Sequence, residues 1–432
     1  METQKNFKKV VLANGLTVLL YKIESVMSAS AILFVRTGAV FEKEEDRGVS
    51  HLIEHSAFIG TKKFPDGSEI SNFAENLGIL YNGGTSKDST YYTIKSPSIH
   101  FDKTLELLSE FVFNPILNDH EVSREREIIL SEYNDFWNNP ERKFDHIMWE
   151  KRFSKPNHPY ARRPMGIPET INNLTLDKVS DYRNRFYNPS NMVLSIAGNF
   201  DSDIENTLND LFNAQKGTRE EEPKFDSSDY SNFVLYNQDD KRPQISFYLS
   251  FPAFGSREVD RAERLKLRLL STILGSNRSS RLYTRLRRKE KYVYKVTSEH
   301  RLLSYMGALV ISGSVPIEKL LDTMKAIKEE LDVLVGDGIK KEELKLAKNF
   351  RIALSLMQFD NPGDVARYYG EEFFYEEEVM QPQQVIDEIN KISVVDLENL
   401  VKKIVIYKKL NIGLLGDISS EILKEIKNTF KK

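Results

Sequence analysis

The 432-residue chain contains no cysteine, so disulfide bonds and catalysis by a cysteine thiolate are both excluded. It also lacks any apolar run near the ~18 residues that a membrane-spanning helix needs, and we expect no membrane segment. The N-terminal residues 1–6 are polar, and the apolar stretch that follows is broken by the hairpin turn signal Asn14-Gly15. This pattern favours two short strands over a signal peptide and predicts a cytoplasmic protein.

Neither sign of charge is in large excess, because 61 basic residues stand against 64 acidic ones for a net charge of −3. This balance argues against a dedicated nucleic-acid-binding protein. Hydrophobic residues make up 40% of the chain, which is enough to form sizeable cores. A chain of 432 residues exceeds the size of a single hydrophobic core and predicts two or more domains.

Histidine is scarce, with seven in the chain, yet two of them stand in the segment His51-Leu52-Ile53-Glu54-His55. On a helix, residues at i and i+4 share one face, so His51 and His55 can bind one zinc ion. Glu54 lies beside them and can take a proton from water that the metal has acidified. The order His-x-x-Glu-His is the inverzincin signature. An amphipathic helix with two surface histidines is the structural alternative.

Several segments of the chain recur at a nearly constant distance. A buried-strand pattern that ends in glycine and opens into a helix occurs at Gly198 and again at Gly416, an offset of 416 − 198 = 218. Further pairs at offsets of 216 to 218 are Leu174–Leu176 with Ile392–Val394, Phe212 with Phe430, and Phe101 with Ile317. Such self-similarity predicts two homologous domains.

The two domains are predicted over residues 1–215 and 230–432, with a linker over 216–229 that is polar, charged and contains proline. Strand-like segments such as Thr90–Ile94 and Gln244–Leu249 occur in runs with amphipathic helices, without strict βαβ alternation. The predicted fold class is therefore α+β, in which each domain is a largely antiparallel β-sheet packed with α-helices.

A catalytic zinc site with two histidines needs a third protein ligand. Glu125 and Glu132 are seven residues apart in a predicted helix and share its face. We take Glu132 as the ligand and Glu125 as a supporting carboxylate, against the alternative that both simply face solvent. The repeat supports this choice: at an offset of about 217 the second half has Arg268–Thr272 in place of the histidine motif and Asn349 in place of Glu132.

The histidine motif followed 132 − 55 = 77 residues later by Glu132 resembles the insulinase/pitrilysin family of zinc peptidases. The duplication resembles its mitochondrial-processing-peptidase-like branch, and blocks similar to family blocks follow at Ala57–Thr61 and Tyr81–Ser86. The resemblance implies one zinc ion per chain, with Glu132 as third ligand, Glu54 as general base and Glu125 as supporting carboxylate. The family usually has Asn-Ala where this chain has Asn82-Gly83, which makes the local strand more flexible.

A second family marker lies in the other half of the chain. The segment Leu286–Tyr294 resembles an arginine–tyrosine motif with a spacing of 294 − 287 = 7. The resemblance implies that Arg287 and Tyr294 bind the substrate carbonyl and stabilise the oxyanion that develops there. The chain departs from the family pattern at Tyr292-Val293, where Leu-Gly or Leu-Ala is commoner.

The family fold implies two such chains that enclose a chamber. Because both motifs occur in this chain, a homodimer with shared active sites is expected, acting on oligopeptides or short unfolded segments. The peptide would add as a strand near Asn82, Gly83 and Gly84, while Phe58 has two open interpretations, a side-chain subsite and core packing. The alternatives are a catalytically silent scaffold subunit and a catalytic subunit that needs a different, non-catalytic chain.

Overall fold

The computed structural model describes residues 6–155, 157–213, 217–223 and 229–431. The strands are β1 Phe7–Val11, β2 Thr17–Lys22, β3 Ser28–Val35, β4 Leu80–Thr85, β5 Thr90–Pro97, β6 Met192–Gly198, β7 Val234–Gln238, β8 Gln244–Ala253, β9 Lys295–Leu302, β10 Gly307–Pro316 and β11 Asn411–Leu415. The α-helices are α1 Val49–Ser56, α2 Gly67–Leu77, α3 Phe101–Phe113, α4 Asp119–Asn138, α5 Pro140–Glu150, α6 Pro168–Asn172, α7 Leu176–Phe186, α8 Ile204–Leu211, α9 Arg261–Ser271, α10 Leu320–Gly336, α11 Lys341–Met357, α12 Pro362–Glu376, α13 Pro382–Lys391, α14 Val394–Ile404 and α15 Ser420–Lys431.

Short helical turns of other types complete the description. The 3₁₀ turns are Glu44–Asp46, Ser98–His100, Pro159–Ala161, Pro189–Asn191, Ile317–Lys319, Gln358–Asp360 and Tyr407–Lys409. Two π-helical segments, Thr272–Ser276 and Tyr283–Lys289, follow α9. Such wide turns are rare, and they often occur near functional sites.

The first sheet has the strand order β1-β2-β6-β3-β5-β4. The pairing is antiparallel except between β2 and β6. The predicted turn at Asn14-Gly15 connects β1 to β2, and Gly15 has a φ of 92°, a conformation that glycine adopts without a steric cost. One face of this sheet forms a large apolar core with helices that include α1 and α3. Strand β4 pairs only with β5 among the described residues and is therefore a free edge.

The second sheet has the order β7-β11-β8-β10-β9, and again a single parallel pair, β7 with β11. Its main core combines the sheet with helices α9, α10, α14 and α15. The two sheets repeat the same order, because β2, β6, β3, β5 and β4 correspond in turn to β7, β11, β8, β10 and β9. The first residues of β2 and β7 are 234 − 17 = 217 apart, and those of β5 and β10 are 307 − 90 = 217 apart. The predicted α+β fold with two homologous halves is confirmed.

The repeat extends to the caps of the helices. Thr175 caps α7 by accepting a hydrogen bond from the backbone N–H of Lys178, and Ser393 caps α14 by accepting one from Asp396. Hydroxyl side chains are favoured at this position because they satisfy an N–H group that has no partner inside the helix. Thr175 and Ser393 are the central residues of one of the segment pairs found in the sequence.

The chain forms two compact units, each assembled from several stretches. The first unit contains Met1–Asp135, Arg162–Lys224 and Leu356–Gln381, and the second contains Phe136–Ala161, Phe225–Ser355 and Pro382–Lys432. One boundary, at 224/225, falls inside the predicted linker 216–229, of which residues 216 and 224–228 lie outside the described residues.

Each unit includes one helix from the other half of the sequence. In the first unit, α12 covers the second face of the sheet, where Tyr369 stacks on Phe7 and Tyr21. In the second unit, α5 covers the second face, where Phe144 and Met148 pack on Tyr248, Ala308, Val310 and Leu415. The repeat pattern does not indicate this exchange of helices.

None of the helices in the described ranges combines the length and the apolar content that crossing a bilayer requires. The cytoplasmic location stays a prediction.

Candidate metal centre

Helix α1 carries the histidine motif, and a buried carboxylate holds its first turn. Gly48 begins the helix with a φ of 98°, so the chain enters in a left-handed conformation. The side chain of Glu42 accepts hydrogen bonds from the backbone N–H groups of Gly48 at 2.9 Å and Ser50 at 3.0 Å. Glu42 therefore fixes the start of the metal-binding helix.

The spacing of the motif places both imidazoles on one face of α1. The ring centres of His51 and His55 are 4.5 Å apart, with the ring planes at 73°. The opposite face carries Val49, Leu52 and Ile53, which are buried in the core of the first unit. The histidine side chains keep only 14% and 17% of their surface exposed. The alternative of two surface histidines does not describe this arrangement.

Helix α4 supplies the carboxylates. Val122, Glu125 and Ile129 are its buried residues, and Glu132 continues the same face at the rim with a side chain that is 44% exposed. The sequence of this helix is mostly polar, and the apolar residues Val122 and Ile129 orient it on the core. The predicted helix face of Glu125 and Glu132 is thus turned towards α1.

The three ligand candidates converge on one point. The Nε2 atoms of His51 and His55 lie 3.9 Å and 3.7 Å from Oε2 of Glu132. One potential ligand atom from each residue lies within 4.8 Å of the others, and no second group of this kind occurs in the described residues. In a tetrahedral zinc site the ligand atoms are about 3.4 Å apart. The two distances to Glu132 are a few tenths of an ångström wider than this. Two imidazoles and a carboxylate are a donor set that fits a zinc ion with one open position.

Glu125 contacts the far side of the His55 ring. Its Oε2 lies 3.2 Å from Nδ1 of His55, while its other oxygen lies 3.5 Å from the guanidinium of Arg124. With Nδ1 donating to Glu125, the lone pair of Nε2 points towards the metal position. Burial alone would lower the pKa of His55, but the hydrogen bond to Glu125 and the charges of nearby glutamates raise it. Glu125 therefore sets the tautomer of this ligand and increases its basicity.

His51 has a different environment. Burial, followed by the charges of His55 and Arg163, lowers the pKa of His51 to about 3. Its Nδ1 atom is buried and has no hydrogen-bond partner in the described part of the chain. The ring is therefore neutral at physiological pH, which is the protonation state that metal binding requires.

Glu54 lies beside the ligands without joining them. Its Oε2 is 3.8 Å from Nε2 of His51, and it accepts a hydrogen bond from Oγ1 of Thr85 at 3.3 Å. Burial raises the pKa of Glu54 to about 7. A carboxylate with a pKa near neutral is suited to accept and return a proton. The sequence did not identify Thr85 as a site residue, although it lies within the block Tyr81–Ser86 that is similar to a family block.

The predicted peptide-binding residues lie on the edge strand β4. Asn82 is exposed, and Gly83 and Gly84 are half-buried. Gly83 leaves room for the Glu54 carboxylate, because a Cβ atom at this position would lie 2.6 Å from Oε1 of Glu54. Phe58 packs on Tyr81 and Phe111, with ring centres 5.6 Å and 5.1 Å away. Of its two interpretations, core packing is the one these contacts describe.

Arg287 and Tyr294 lie in the second unit and contact each other. Arg287 belongs to the π-helical segment Tyr283–Lys289, and its guanidinium lies 5.1 Å from the ring centre of Tyr294. A hydrogen bond of 3.3 Å to the carbonyl of Val293 holds it. Tyr294 is 73% exposed. The motif therefore presents an exposed hydroxyl beside a fixed cation, as a pair of donors for a carbonyl oxygen requires.

Comparison with known proteins decides the family. Residues 17–157 match the family described as insulinase (peptidase family M16), and residues 173–350 match the one described as peptidase M16 inactive domain. The chain belongs to the insulinase family. The resemblance inferred from the motifs is confirmed, and the second match includes Arg268–Thr272 and Asn349, which occupy the metal-motif positions in the repeat.

Insulinase-family relatives align over nearly the whole chain. An uncharacterized zinc protease of Rickettsia felis is 28% identical over 93% of this chain and 95% of its own length. An uncharacterized zinc protease of Bacillus subtilis is 25% identical over 91% and 93%. The beta subunit of the mitochondrial-processing peptidase of Dictyostelium discoideum is 24% identical over 91% and 85%. The chain is thus processing-peptidase-like in sequence along its length.

Solved structures share the fold. A protease from Helicobacter pylori superposes with a TM-score of 0.84 at 21% identity, covering 95% of this chain and 99% of that one. A peptidase M16 inactive domain from Pseudomonas fluorescens superposes with a TM-score of 0.85 at 20% identity, covering 96% and 99%. Both likenesses concern the insulinase-family fold alone.

Proposed function

We propose that this chain is a zinc-dependent endopeptidase that hydrolyses oligopeptides or short unfolded segments inside a closed dimer chamber. The observation that carries the proposal is the convergence of His51, His55 and Glu132 on one point with Glu54 beside it. Relatives that carry the name zinc protease support the choice of metal. His₂Glu sites also accept cobalt or manganese, so zinc is the default assignment.

The proposed roles follow from the donor set. His51, His55 and Glu132 would hold one zinc ion per chain, which when bound supplies a Lewis acid that acidifies water and polarises a carbonyl. Glu54 accepts the proton of the attacking water on its carboxylate and passes it to the amine nitrogen that leaves when the C–N bond breaks. Glu125 keeps His55 in the tautomer that binds metal. Each role belongs to a residue whose contacts suit it.

Substrate binding is proposed at the free edge of the first sheet. An extended peptide adds to β4 at Asn82, Gly83 and Gly84 through backbone hydrogen bonds, which give affinity with little sequence preference. The glycines keep this edge free of bulky side chains next to Glu54. Substrates are therefore expected to be extended chains, because a folded protein cannot offer a free strand to this edge.

The partner is proposed to be a second copy of the chain. Each active site would combine the metal centre of one chain with Arg287 and Tyr294 of the other, whose side chains donate to the substrate carbonyl oxygen. Twofold symmetry then produces two equal sites. A silent scaffold subunit is the weaker alternative, because the residues for metal binding, proton transfer and carbonyl binding are all present.

The direct test measures metal and activity together. The purified chain should retain about one zinc ion and cleave a quenched fluorescent peptide of unfolded sequence. Glu54→Gln should keep the zinc and lose cleavage by about 10²–10⁴-fold. Zinc retention without any cleavage by the wild-type chain would reject the homodimeric enzyme and favour the scaffold or a missing partner. Absence of zinc from a chain purified without chelator would reject the metal centre.

Sharing of sites has its own test. Glu54→Gln chains are mixed with Arg287→Ala chains, each of which should be inactive alone. Mixed dimers then contain one site with both lesions and one with none, so activity should partly return. The reference is a mixture of wild-type and Glu54→Gln chains prepared in the same way. No recovery, with subunit exchange demonstrated by labelled chains, would reject shared sites.

A further inference from the structure

The metal motif has a structural counterpart in the second unit. There, basic and neutral side chains replace those that would bind a cation. Arg268 and Thr272 stand at the repeat positions of His51 and His55, and Ser271 stands at that of Glu54. The counterpart of Gly83 follows from strand register. Gly83 pairs with Tyr92, His300 pairs with Leu309, and 309 − 92 = 217. A glycine that leaves space beside the general base is thus replaced by a histidine that fills the space.

Hydrogen bonds hold this counterpart together. Nδ1 of His300 lies 3.4 Å from Oγ of Ser271. Arg351, from α11, donates to Oγ1 of Thr272 at 2.6 Å and to the carbonyl oxygen of Arg268 at 3.3 Å. Neutral acceptors thus fix the Arg351 guanidinium and leave its charge uncompensated.

The charge of the cluster is positive and unbalanced. Burial, then the charges of Arg268 and Arg351, lower the pKa of His300 to about 3, and burial and Arg268 lower that of Arg351 to about 10. Among the described residues no carboxylate forms an ion pair with Arg268 or Arg351. Two other arginines of this unit are paired, Arg281 with Glu343 at 2.7 Å and Arg285 with Glu330 at 3.3 Å. Two cations that repel each other without a local anion cost free energy, which a bound anion would recover.

The cluster is open to solvent and lies beside an edge strand. Arg268 is exposed, and His300 and Arg351 are half-buried. Within the described chain β9 pairs only with β10, as β4 pairs only with β5, so its outer edge can accept an extended peptide. The guanidinium group has the planar fork that binds both oxygens of a carboxylate.

We infer that Arg268, His300 and Arg351 form a subsite that binds the C-terminal carboxylate of a peptide. The inference rests on the proposed peptidase function for its class of ligand. A peptide always carries this anion at its end unless it is modified, whereas acidic side chains depend on sequence. The two arginines form ion pairs with the carboxylate and His300 donates a neutral N–H.

Binding to the inactive protein tests the subsite apart from catalysis. Zinc-loaded, full-length Glu54→Gln protein is titrated into an N-terminally labelled decapeptide without acidic residues, as the free acid and as the C-terminal amide. Fluorescence anisotropy should show the acid binding about tenfold tighter, as expected for a charge-assisted contact. Equal affinities for acid and amide would overturn the subsite. If the wild-type chain proves not to cleave peptides, this binding comparison still tests the subsite, because it does not depend on catalysis.

Variants locate the effect. Arg268→Gln and Arg351→Gln, each in the Glu54→Gln background, should reduce the preference for the acid to about twofold or less, with little change for the amide. Arg285→Gln removes an equal charge whose partners are local and should leave the preference unchanged. Arg351→Lys keeps the charge and should retain part of the preference. This variant shows whether the Arg351→Gln effect comes from loss of the charge or from misfolding.

A third peptide separates the two sources of carboxylate. An amidated decapeptide with one internal Asp should bind like the plain amide. If it binds as tightly as the free acid, the assignment to the terminal carboxylate is wrong. A preference for the acid that persists in both glutamine variants would place the anion elsewhere and overturn the inference.

Discussion

Nδ1 of His55 lies 3.2 Å from Oε2 of Glu125, a carboxylate that is buried on the inner face of α4. The contact joins the two helices that carry the candidate metal ligands, because His55 belongs to α1 and Glu132 follows Glu125 on α4. It also determines which imidazole nitrogen is free for the metal. We therefore expect the proposed metal centre to depend on a residue outside its ligand set.

Glu125→Gln should weaken zinc binding by about tenfold or more, since carboxylate partners of metal-binding histidines are worth about 10–100-fold in affinity. The amide can still accept from Nδ1, but it no longer stabilises the charge that the ring shares with the metal. Competition with a chromophoric chelator measures the affinity. Glu127→Gln, which changes an exposed residue of the same helix, is the control. Equal affinities for both variants would show that Glu125 does not support the site.

Gly83→Ala should lower kcat while zinc content stays the same. The new Cβ would lie 2.6 Å from Oε1 of Glu54 and 2.9 Å from the ring of Phe58, so the Glu54 carboxylate must move. A displacement of about 1 Å in a catalytic group can cost about 100-fold in rate, and we expect a loss of about tenfold or more. Cleavage of a quenched peptide measures it. Unchanged kcat would show that the Glu54 carboxylate adapts to the new methyl group without cost.

Much of the metal centre could be predicted because its residues follow helical spacing. His51 and His55 are four residues apart and Glu125 and Glu132 seven, so periodicity alone assigns each pair to one face. The distance between the two helices is a tertiary property, and only the resemblance and the altered repeat connected them in advance. Thr85 and Glu42 were not predicted from the sequence for the same reason. Each acts through one contact with a residue far along the chain, and no local pattern marks it.

The fold, like the metal centre, was predictable where it follows local sequence patterns and not where it depends on tertiary packing. Offsets between repeated segments predicted two similar halves, since equal strands and caps recur at equal spacing. The exchange of α5 and α12 could not be predicted, because an apolar stripe shows that a helix is buried without showing which sheet covers it. Phe144 and Tyr369 would fit either sheet by composition. In the structure Phe144 packs against Tyr248 in the second unit and Tyr369 against Tyr21 in the first, which assigns each helix to its sheet.

Glu42→Ala should destabilise the first unit and reduce zinc retention. Without the carboxylate, the N–H groups of Gly48 and Ser50 lose their buried acceptor, at a cost of about 1–3 kcal/mol in the free energy of unfolding. The first turn of α1 would loosen next to His51. Glu45→Ala removes an exposed glutamate nearby and should change stability by less than about 0.5 kcal/mol. Metal analysis after dialysis and thermal unfolding measure the two effects. Equal behaviour of the two variants would contradict the capping role.

His300→Gln should reduce the loss of stability of the second unit in acid. Burial lowers the folded-state pKa of His300 to about 3, against about 6.5 in an unfolded chain. Between these values the unfolded state binds more protons, so stability falls as the pH falls. From pH 7 to pH 5 this group should cost the wild type about 1–2 kcal/mol, which the variant avoids because glutamine does not titrate.

The two tryptophans of the chain make this measurement specific. Trp137 and Trp149 both lie in the second unit, so urea unfolding followed by their fluorescence reports on that unit. His120→Gln is the control, since the His120 side chain is 81% exposed and lies in the first unit. Measurements in chloride at low ionic strength keep other anions away from Arg268 and Arg351. If the wild type and His300→Gln lose equal stability between pH 7 and pH 5, His300 is not held neutral by its surroundings.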